Sequence, residues 1–270
     1  MTNNQFADNL ALLPPPTQPL MQTLLLGGNQ LTGNLPGYFT ASFPRLKTLD
    51  LSENHLSGSI PSSLGGVSSL TYLSLGSNNL TGPLPPLLPA LQTLNLSHNS
   101  LGGILPDTFA NYSLLTLLDL SADNLSGTLP PSLAHLSDLT LLDLSLNSFS
   151  GGLPPGLAGL ALLHSTNFSS NRLSGPIPGG NLTLDTFHSS FQNNSDLCAP
   201  PLATCPTHLS GGIIALIAVL GALALLLLLA LAVFLFLRQR QFGLDGGKLV
   251  LYHKLPCVVT YNDILVGSNH

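Results

Sequence analysis

The chain has 270 residues, a formal net charge of −5 and only 7% charged residues, with three Cys. Average soluble domains carry about 25% charged residues, so this composition is unusual. The negative net charge argues against a nucleic-acid-binding protein, which would show a basic stripe, and three Cys are too few for a disulfide scaffold. The abundance of Leu, Gly, Pro, Ser and Asn suggests internal repeats.

The first predicted element is residues 1–20, which have neither the basic start nor the apolar run of a secretory signal peptide. Asn4, Phe6 and Leu10 stand where the repeat described next has Asn, Leu and Ile, and Asp8 replaces its Gly. We interpret this segment as a truncated repeat, with a degenerate capping repeat as the alternative. A truncated repeat at the N-terminus would leave the apolar edge of the repeat stack uncovered. In complete solenoids, capping repeats with a polar outer face cover this edge and keep the protein soluble.

The template L-x-x-L-x-L-x-x-N-x-L-x-G-x-[IL]-P recurs seven times between residues 21 and 190. The copies begin at Met21, Leu46, Leu70, Leu91, Leu115, Leu139 and Leu163. Their spacing is 24 residues, except for 25 before Leu46 and 21 before Leu91. Seven matches to one long template exclude chance, so a stacked repeat fold is predicted.

Each template position has a physical role. The L-x-L core alternates with period two, which predicts a short strand whose Leu side chains point into the stack. The following Asn can bond the backbone groups that a sharp buried turn leaves unpaired. Asp123 replaces this Asn in one copy and only accepts hydrogen bonds when it is ionised. The Gly permits a tight backbone path, and the Pro limits the sheet.

The L-x-G-x-[IL]-P phrase resembles the plant-type leucine-rich repeat, and the resemblance covers Met21 to about Asn181. It implies an α/β-type solenoid, a leucine-rich-repeat horseshoe with stacked parallel strands. Plant receptor-like kinases carry such repeats in their ectodomains. The family's ectodomains normally begin with a secretory signal and a Cys-containing cap, and residues 1–20 match neither.

Residues 191–206 resemble the C-terminal cap of these ectodomains. The matching residues are Phe191, Asn194, Leu197, Cys198, Pro201, Leu202 and Cys205. Asn193 and Ala199 replace two glycines of the family pattern. The resemblance implies a disulfide between Cys198 and Cys205 in an oxidising compartment; the alternative is two free thiols.

Residues 213–237 form an uncharged apolar run of 25 residues, and a membrane-spanning helix needs about 20. A buried core helix is disfavoured by this length and apolarity. Basic residues follow the run at once, and none lies between residues 191 and 212. The positive-inside rule therefore predicts an extracellular N-terminus at the plasma membrane and a cytoplasmic tail, residues 238–270. Ala215, Ala218 and Ala222 form a small-residue stripe that would permit homo- or hetero-association of helices, with the apolar composition alone as the alternative explanation.

Seven N-x-[ST] sequons precede the apolar run and none follows it, as expected for a secretory ectodomain. They lie at Asn79, Asn95, Asn111, Asn124, Asn167, Asn181 and Asn193. The N-x-L-[ST]-G phrase of the repeat creates two of them, at Asn79 and Asn124, without any need for glycosylation. Glycans at Asn95 and Asn167 would obstruct the strand face.

The outward strand positions form the predicted concave surface, which is polar, mildly acidic and composed of small side chains. Tyr72 and His98 are its main large groups. Concave solenoid faces commonly bind partners, so Asp50, Tyr72, Asp119 and Asp143 are the candidate ligand-binding residues, with a plain solvated surface as the alternative. The predicted partners are an extracellular peptide or small ligand, a partner receptor ectodomain and membrane lipid, but not nucleic acid.

Motifs for catalysis are missing from the sequence, which contains no G-x-S-x-G, H-E-x-x-H, C-x-x-C or P-loop. A kinase Gly-rich loop, strand Lys and H-R-D motif are missing as well. No catalytic residue, metal site or cofactor is therefore predicted.

The segment from Gly246 to Leu265 resembles the juxtamembrane stretch that introduces the kinase domain in plant receptor-like kinases. The loosely matching residues are Lys248, Leu249, Val250, Tyr252, Thr260, Asp263 and Ile264. Two functions remain open. One is a single-pass receptor-like protein that recognises an extracellular ligand without its own catalytic domain. The other is a fragment of a leucine-rich-repeat receptor-like serine/threonine kinase. A soluble cell-wall enzyme inhibitor is disfavoured by the apolar run.

Overall fold

The computed structural model describes residues 8–9, 20–86, 89–182, 188–198, 211–240, 242–245 and 248–251. The chain forms two compact units, residues 1–206 and 207–270. The first unit contains the repeats, and the second contains a long helix and a short hairpin. Most of residues 1–20, as well as Cys205, Cys257 and the tail beyond residue 251, lie outside the described residues.

The L-x-L cores form the first sheet, which has seven parallel strands in sequence order. These strands are β1 (Thr23–Leu25), β3 (Thr48–Asp50), β5 (Tyr72–Ser74), β7 (Thr93–Asn95), β9 (Leu117–Asp119), β11 (Leu141–Asp143) and β13 (Ser165–Asn167). Equivalent positions pair in register, as Leu49 does with Leu73. The central residue of each strand points into the core, where Leu49 and Leu142 are fully buried. The predicted strand and its alternation are therefore confirmed.

A second sheet of eight parallel strands follows the turn of each repeat, and the sequence interpretation did not include it. Its strands are β2 (Thr32–Asn34), β4 (His55–Ser59), β6 (Asn79–Gly82), β8 (Ser100–Ile104), β10 (Asn124–Thr128), β12 (Ser148–Gly151), β14 (Arg172–Pro176) and β15 (Asp196–Cys198). The template Gly lies in these strands with positive φ, for example 74° at Gly58. This positive φ is the reason that the position favours glycine. A Cβ on Gly58 would also lie 2.5 Å from Oδ1 of Asn34 in the preceding repeat, whose side chain would have to shift.

Short helical segments connect the second sheet to the next strand of the first sheet. The first repeat has a four-residue α-helix, α1 (Phe39–Ser42). Later repeats mostly have 3-10 helices, at Ser62–Gly66, Phe109–Asn111, Pro131–His135, Pro155–Gly159 and Gly180–Leu182. In the 21-residue repeat, the described residues 83–86 and 89–90 contain no such helix. This repeat is therefore three residues shorter than most others in the segment where the other repeats have a helix.

The Asn residues of the turns form a buried ladder that links each repeat to its neighbours. Nδ2 of Asn54 donates to the carbonyls of Leu26, Leu51 and Ser52 at 3.0, 3.1 and 3.0 Å. Its Oδ1 accepts from the amide of Leu31 at 2.9 Å. These four bonds pair backbone groups that the turn would otherwise bury unpaired, which confirms the predicted role of the Asn.

Asp123 interrupts this ladder. Its Oδ1 accepts from the amide of Leu101 at 3.3 Å, but its buried Oδ2 has no hydrogen-bond partner among the described residues. Burial raises the pKa of Asp123 to about 7, and the nearby carboxylate of Asp119 adds a smaller rise. The protonated form suits this position, since a neutral carboxyl can donate where an Asn amide would.

Additional pairing extends both ends of the repeat stack. Asn9 forms a parallel bridge with Thr32. An extra N-terminal repeat in which Asp8 replaces the template Gly would place Asn9 at this pairing position. At the other end, the ring of Phe191 stacks on Phe168 with centroids 5.7 Å apart. Asn194 continues the Asn ladder by donating to the Phe168 carbonyl at 2.9 Å.

Cys198 ends the last strand of the second sheet and is disulfide-bonded. The predicted partner, Cys205, lies outside the described residues, so the pairing of these two Cys remains a prediction.

The second unit contains α2 (Gly211–Arg240), followed by a two-stranded antiparallel hairpin, β16 (Phe242–Asp245) and β17 (Lys248–Leu251). Within α2, the 19 residues Ala218–Phe236 are long and apolar enough to cross a membrane. This is the one such helix in the described part of the chain.

Candidate binding surface

Three columns of residues lie on the outer side of the first sheet, and we call them the first-sheet face. Four of their Ser residues, Ser74, Ser97, Ser121 and Ser145, are themselves buried. The left column consists of Thr23, Thr48, Tyr72, Thr93, Leu117, Leu141 and Ser165. The middle column consists of Leu25, Asp50, Ser74, Asn95, Asp119, Asp143 and Asn167. The right column, just beyond the strand ends, consists of Gly27, Ser52, Gly76, Ser97, Ser121, Ser145 and Ser169. Because the strands pair in register, each column is a continuous row of equivalent residues.

Five repeats have an Asp or Asn in the middle column and a Ser two residues later, and the two residues are joined by hydrogen bonds. In the third of these pairs, Oδ1 of Asp119 accepts from the amide of Ser121 at 3.0 Å and from its hydroxyl at 2.7 Å. Asp143 and Ser145 repeat the arrangement at 2.9 and 2.6 Å. One oxygen of each acidic side chain is thus fixed, and its orientation is set before any ligand binds.

The two remaining repeats lack both members of the pair. They have Leu25 with Gly27, and Ser74 with Gly76. A Cβ on Gly76 would lie 2.9 Å from Oδ1 of Asn95, and a Cβ on Gly27 would lie 3.0 Å from Oδ1 of Asp50. In both places, the Asp or Asn side chain of the following repeat occupies the space that a Cβ would need.

Asp119 and Asp143 are the two candidate residues that the structure brings together. They are paired neighbours in adjacent strands, and parallel strands are about 4.8 Å apart. Asn167, in the next strand, donates from Nδ2 to Oδ2 of Asp143 at 3.2 Å. Two carboxylates this close form a negative patch that favours a basic group of a ligand.

Asp50 and Tyr72 lie elsewhere on the first-sheet face. Asp50 is three strands away from Asp119 in the sheet order and is fixed by Ser52, whose hydroxyl donates at 2.6 Å. Tyr72 lies in the neighbouring strand, in the left column, and is 36% exposed. These two residues form a separate group near the N-terminal end of the face. His98 is not on a strand but in the exposed turn that follows, with φ of 57°.

The sequons fall into two groups. Asn79, Asn111, Asn124 and Asn193 are exposed and lie outside the first sheet. Asn95 and Asn167 are half-buried in the middle column, and each holds the amide of the Ser two residues later, at 3.0 and 3.1 Å. Asn181 lies in a 3-10 helix, and its side chain is outside the described residues.

The sequence matches two family models, both described as leucine-rich repeat. One covers residues 19–80. The other covers residues 90–112, 114–136 and 138–160. No curated protein matches the chain. The models together span six of the seven predicted repeats.

Solved structures with the same fold are ectodomains of plant receptor kinases. The ectodomain of the Arabidopsis receptor kinase HAESA with an extended IDA peptide hormone is 32% identical, with a TM-score of 0.65, over 71% of this chain and 32% of that chain. HAESA with IDA and the co-receptor SERK1 is 34% identical, with a TM-score of 0.56, over 58% and 27%. The ectodomain of the Arabidopsis thaliana membrane receptor kinase GASSHO1/SCHENGEN3, in complex with CASPARIAN STRIP INTEGRITY FACTOR 2, is 28% identical, with a TM-score of 0.56, over 68% and 25%.

The chain spans about a third of the length of these relatives or less. Its two-sheet repeat with the L-x-G-x-[IL]-P phrase, its matches to the repeat models and its likeness to these ectodomains agree with one another. The chain belongs to the plant leucine-rich-repeat receptor-like family.

Proposed function

We propose that the chain is a receptor-like recognition protein whose first-sheet face binds an extracellular peptide or a partner ectodomain. The observation that carries this proposal is the row of Asp and Asn side chains that Ser residues hold in place, as at Asp119 and Asp143. Polar groups that are already ordered lose little conformational entropy when a ligand binds. The HAESA complexes with a peptide hormone and a co-receptor support the same class of partner.

The dimensions of the face suit an extended peptide. Seven strands at about 4.8 Å spacing span about 30 Å, which matches roughly nine extended residues at about 3.3 Å each. The pair formed by Asp119 and Asp143 would bind a basic side chain, and Tyr72 would supply an aromatic contact at the other end. The alternative is a small ligand that contacts either the Asp pair or Tyr72 but not both.

The proposed location is the plasma membrane, with one membrane-spanning helix, an extracellular N-terminus and a cytoplasmic C-terminus. Ala218–Phe236 supplies the apolar length. Arg238, Arg240, Lys248 and Lys254 follow it, whereas none of the residues 191–212 is basic. Basic residues remain on the cytoplasmic side of membrane helices, and all seven sequons lie on the opposite side of the helix in sequence.

We also propose that this stretch of sequence binds rather than catalyses. The second candidate function, part of a receptor-like serine/threonine kinase, is favoured by the receptor kinases among the structural relatives. Sequencing the full transcript distinguishes the two. An in-frame kinase Gly-rich loop downstream of His270 would establish the kinase, and a stop codon there would establish the receptor-like protein.

Binding to the first-sheet face can be tested with a random peptide library selected against the full chain in nanodiscs. We expect selected peptides to carry a basic residue, and the double substitution Asp119→Asn with Asp143→Asn to weaken their binding about tenfold, or about 1.4 kcal/mol. Asp138→Asn is the matched control, because Asp138 lies in a connecting turn, away from both sheets. Equal binding by wild type and the double variant would refute the assignment of this face.

A further inference from the structure

The 21-residue repeat borders a groove on the side of the stack where the other repeats have a helix. Its described residues 83–86 and 89–90 contain no helix, whereas the next repeat has the 3-10 helix Phe109–Asn111. A groove of about 480 Å³ lies between these two repeats, and we call it the proline groove. Its described lining includes Pro86, Pro89, Pro106, Thr108, Asn111 and Tyr112.

The lining of the proline groove is mostly apolar, and its shape is fixed by rigid residues. Each of its three Pro residues has a backbone φ fixed by its own ring. The ring of Tyr112 packs edge-on against the fully buried Phe109, with centroids 5.8 Å apart. Pro86 and Pro89 are exposed, so part of this apolar surface meets solvent. Preformed, mostly apolar grooves of about 300–1,000 Å³ are typical sites for small organic ligands.

The lining also contains a glycosylation sequon. Asn111 begins the sequence N-Y-S and is exposed at the end of its 3-10 helix. Its backbone amide donates to the Thr108 carbonyl at 3.1 Å, which fixes the backbone at this point. Among the described residues, none forms a hydrogen bond with its side-chain amide, whose Nδ2 is the attachment atom. A sugar on Asn111 therefore starts at the groove itself.

The chemistry of the first sugars suits this lining. An N-linked glycan begins with two N-acetylglucosamine residues, whose rings have apolar C–H faces and whose acetamide groups carry a methyl. Contact with Pro86 and Pro89 removes these apolar parts from water, which is favourable. Thr108 is exposed, and its hydroxyl can donate to a sugar hydroxyl or accept from an acetamide N–H. The sequon thus delivers a ligand that matches both the apolar and the polar parts of the groove.

We propose that the first N-acetylglucosamine residues of a glycan on Asn111 fill the proline groove and cover the apolar surface beside the shortened repeat. This inference rests on the proposed extracellular location of the repeats. A glycan in this position stabilises the stack where a helix is missing, and its bulk keeps other proteins out of the groove.

The exposure of the first two sugars is measured with endoglycosidase H, which cleaves between them. The full chain is expressed in plant cells with an inhibitor of mannose trimming, purified in nanodiscs and digested while folded. Mass spectrometry of its peptides gives the cleavage rate at Asn111 and at Asn124, an exposed sequon on strand β10 outside the groove. The digestion is repeated after denaturation and with Pro89→Asp, which places a charge in the groove and keeps the sequon.

We expect cleavage in the folded chain to be about tenfold slower at Asn111 than at Asn124, and equally fast at both after denaturation. Pro89→Asp should bring the rate at Asn111 close to that at Asn124. Equal rates in the folded wild type, or a difference that survives either denaturation or Pro89→Asp, would overturn the groove inference and leave the location intact. An unmodified Asn111 beside a modified Asn124 would do the same. A chain with no modified sequon would refute the extracellular location as well.

The stabilising effect of the glycan is measured by thermal unfolding of glycosylated variants. We expect Asn111→Gln to lower the unfolding temperature by about 2–4 °C, and the matched control Asn124→Gln to change it by less than about 1 °C. Equal shifts in the two variants would show that the Asn111 glycan makes no stabilising contact in the groove.

Discussion

Asp123 illustrates how much one buried atom contributes to the stability of a repeat. The Asn residues at the equivalent position donate to three carbonyls, as Asn147 does at 2.8, 3.2 and 3.0 Å. Asp123 has no amide group to donate, and its pKa rises to about 7 because it is buried. The sequence revealed the substitution from the broken repeat pattern. The size of the pKa shift could not be predicted from the sequence, because it depends on how deeply Oδ2 is buried. That burial is set by the packing of the neighbouring repeats.

We predict that Asp123→Asn raises the free energy of unfolding at pH 7 by about 1–3 kcal/mol, because it restores the donor and removes a buried polar group without a partner. Below about pH 4, the carboxyl of the wild type is protonated in both the folded and the unfolded state. Between about pH 4 and 7, the folded state keeps the proton that the unfolded state loses, so wild-type stability falls as pH rises and levels off above the folded pKa.

Chemical denaturation of wild type and Asp123→Asn from pH 4 to 8 measures this difference. The two proteins differ only at residue 123, so the difference between their stabilities should widen with pH and become constant above about 7. Asp138→Asn serves as the control, since Asp138 is not buried. A constant difference across the whole range would mean that Asp123 is ionised in the folded protein throughout.

The turns between the two sheets repeat an unfavourable backbone conformation. One non-glycine residue in each of six repeats has positive φ, at Glu53, Ser77, His98, Ala122, Leu146 and Ser170. Asn tolerates this conformation better than a bulky aliphatic residue because its short polar side chain can bond locally. Leu146, with φ of 55°, is also 55% exposed, so its side chain contributes little to the core.

We expect Leu146→Asn to stabilise the repeats by about 0.5–1 kcal/mol, the cost of the left-handed conformation that Asn partly avoids. Thermal unfolding of the full chain measures the effect. Leu114→Asn is the control, because Leu114 is 47% exposed without positive φ. Should both variants shift the unfolding temperature equally, surface polarity and not backbone strain would be the cause.

The last repeat depends on the Phe pair at its end. Phe191 is 6% exposed and covers Phe168, which is fully buried. We predict that Phe191→Ala destabilises this end by about 3–5 kcal/mol, since it opens a cavity over the core. Hydrogen exchange should then accelerate first in the last repeat, because repeats contact mainly their neighbours. Uniform acceleration along all repeats would contradict this local role.

The first sheet and the Asn ladder could be predicted from the sequence because large Leu side chains and a buried Asn recur with fixed spacing. The second sheet could not, because its strands are short and carry Ser and Gly, as at Ser57 and Gly58, which give no hydrophobic alternation. The Asp–Ser pairs were visible as D-L-S phrases at Asp50, Asp119 and Asp143, but the same letters suit a solvated surface. Only the hydrogen-bond geometry distinguishes a fixed carboxylate from a free one.

At the scale of the whole molecule, the repeats and the residues after α2 differ in charge. Ten acidic and three basic residues precede residue 213, whereas two acidic and four basic residues follow residue 237. We predict glycans on the exposed Asn79, Asn111 and Asn124 and none on the half-buried Asn167, whose Nδ2, the attachment atom, donates to Asp143. Peptide mass spectrometry after enzymatic deglycosylation identifies the modified Asn residues, and a glycan on Asn167 would show that the first-sheet face is obstructed.

The orientation of the chain tests the central claim, recognition outside the cell, most directly. The full chain is expressed in plant cells with one tag before Met1 and another after His270, and antibodies are applied to intact and permeabilised cells. We predict that the first tag is detected on intact cells and the second only after permeabilisation. Detection of the first tag only after permeabilisation would place the repeats inside the cell and contradict a role in extracellular recognition.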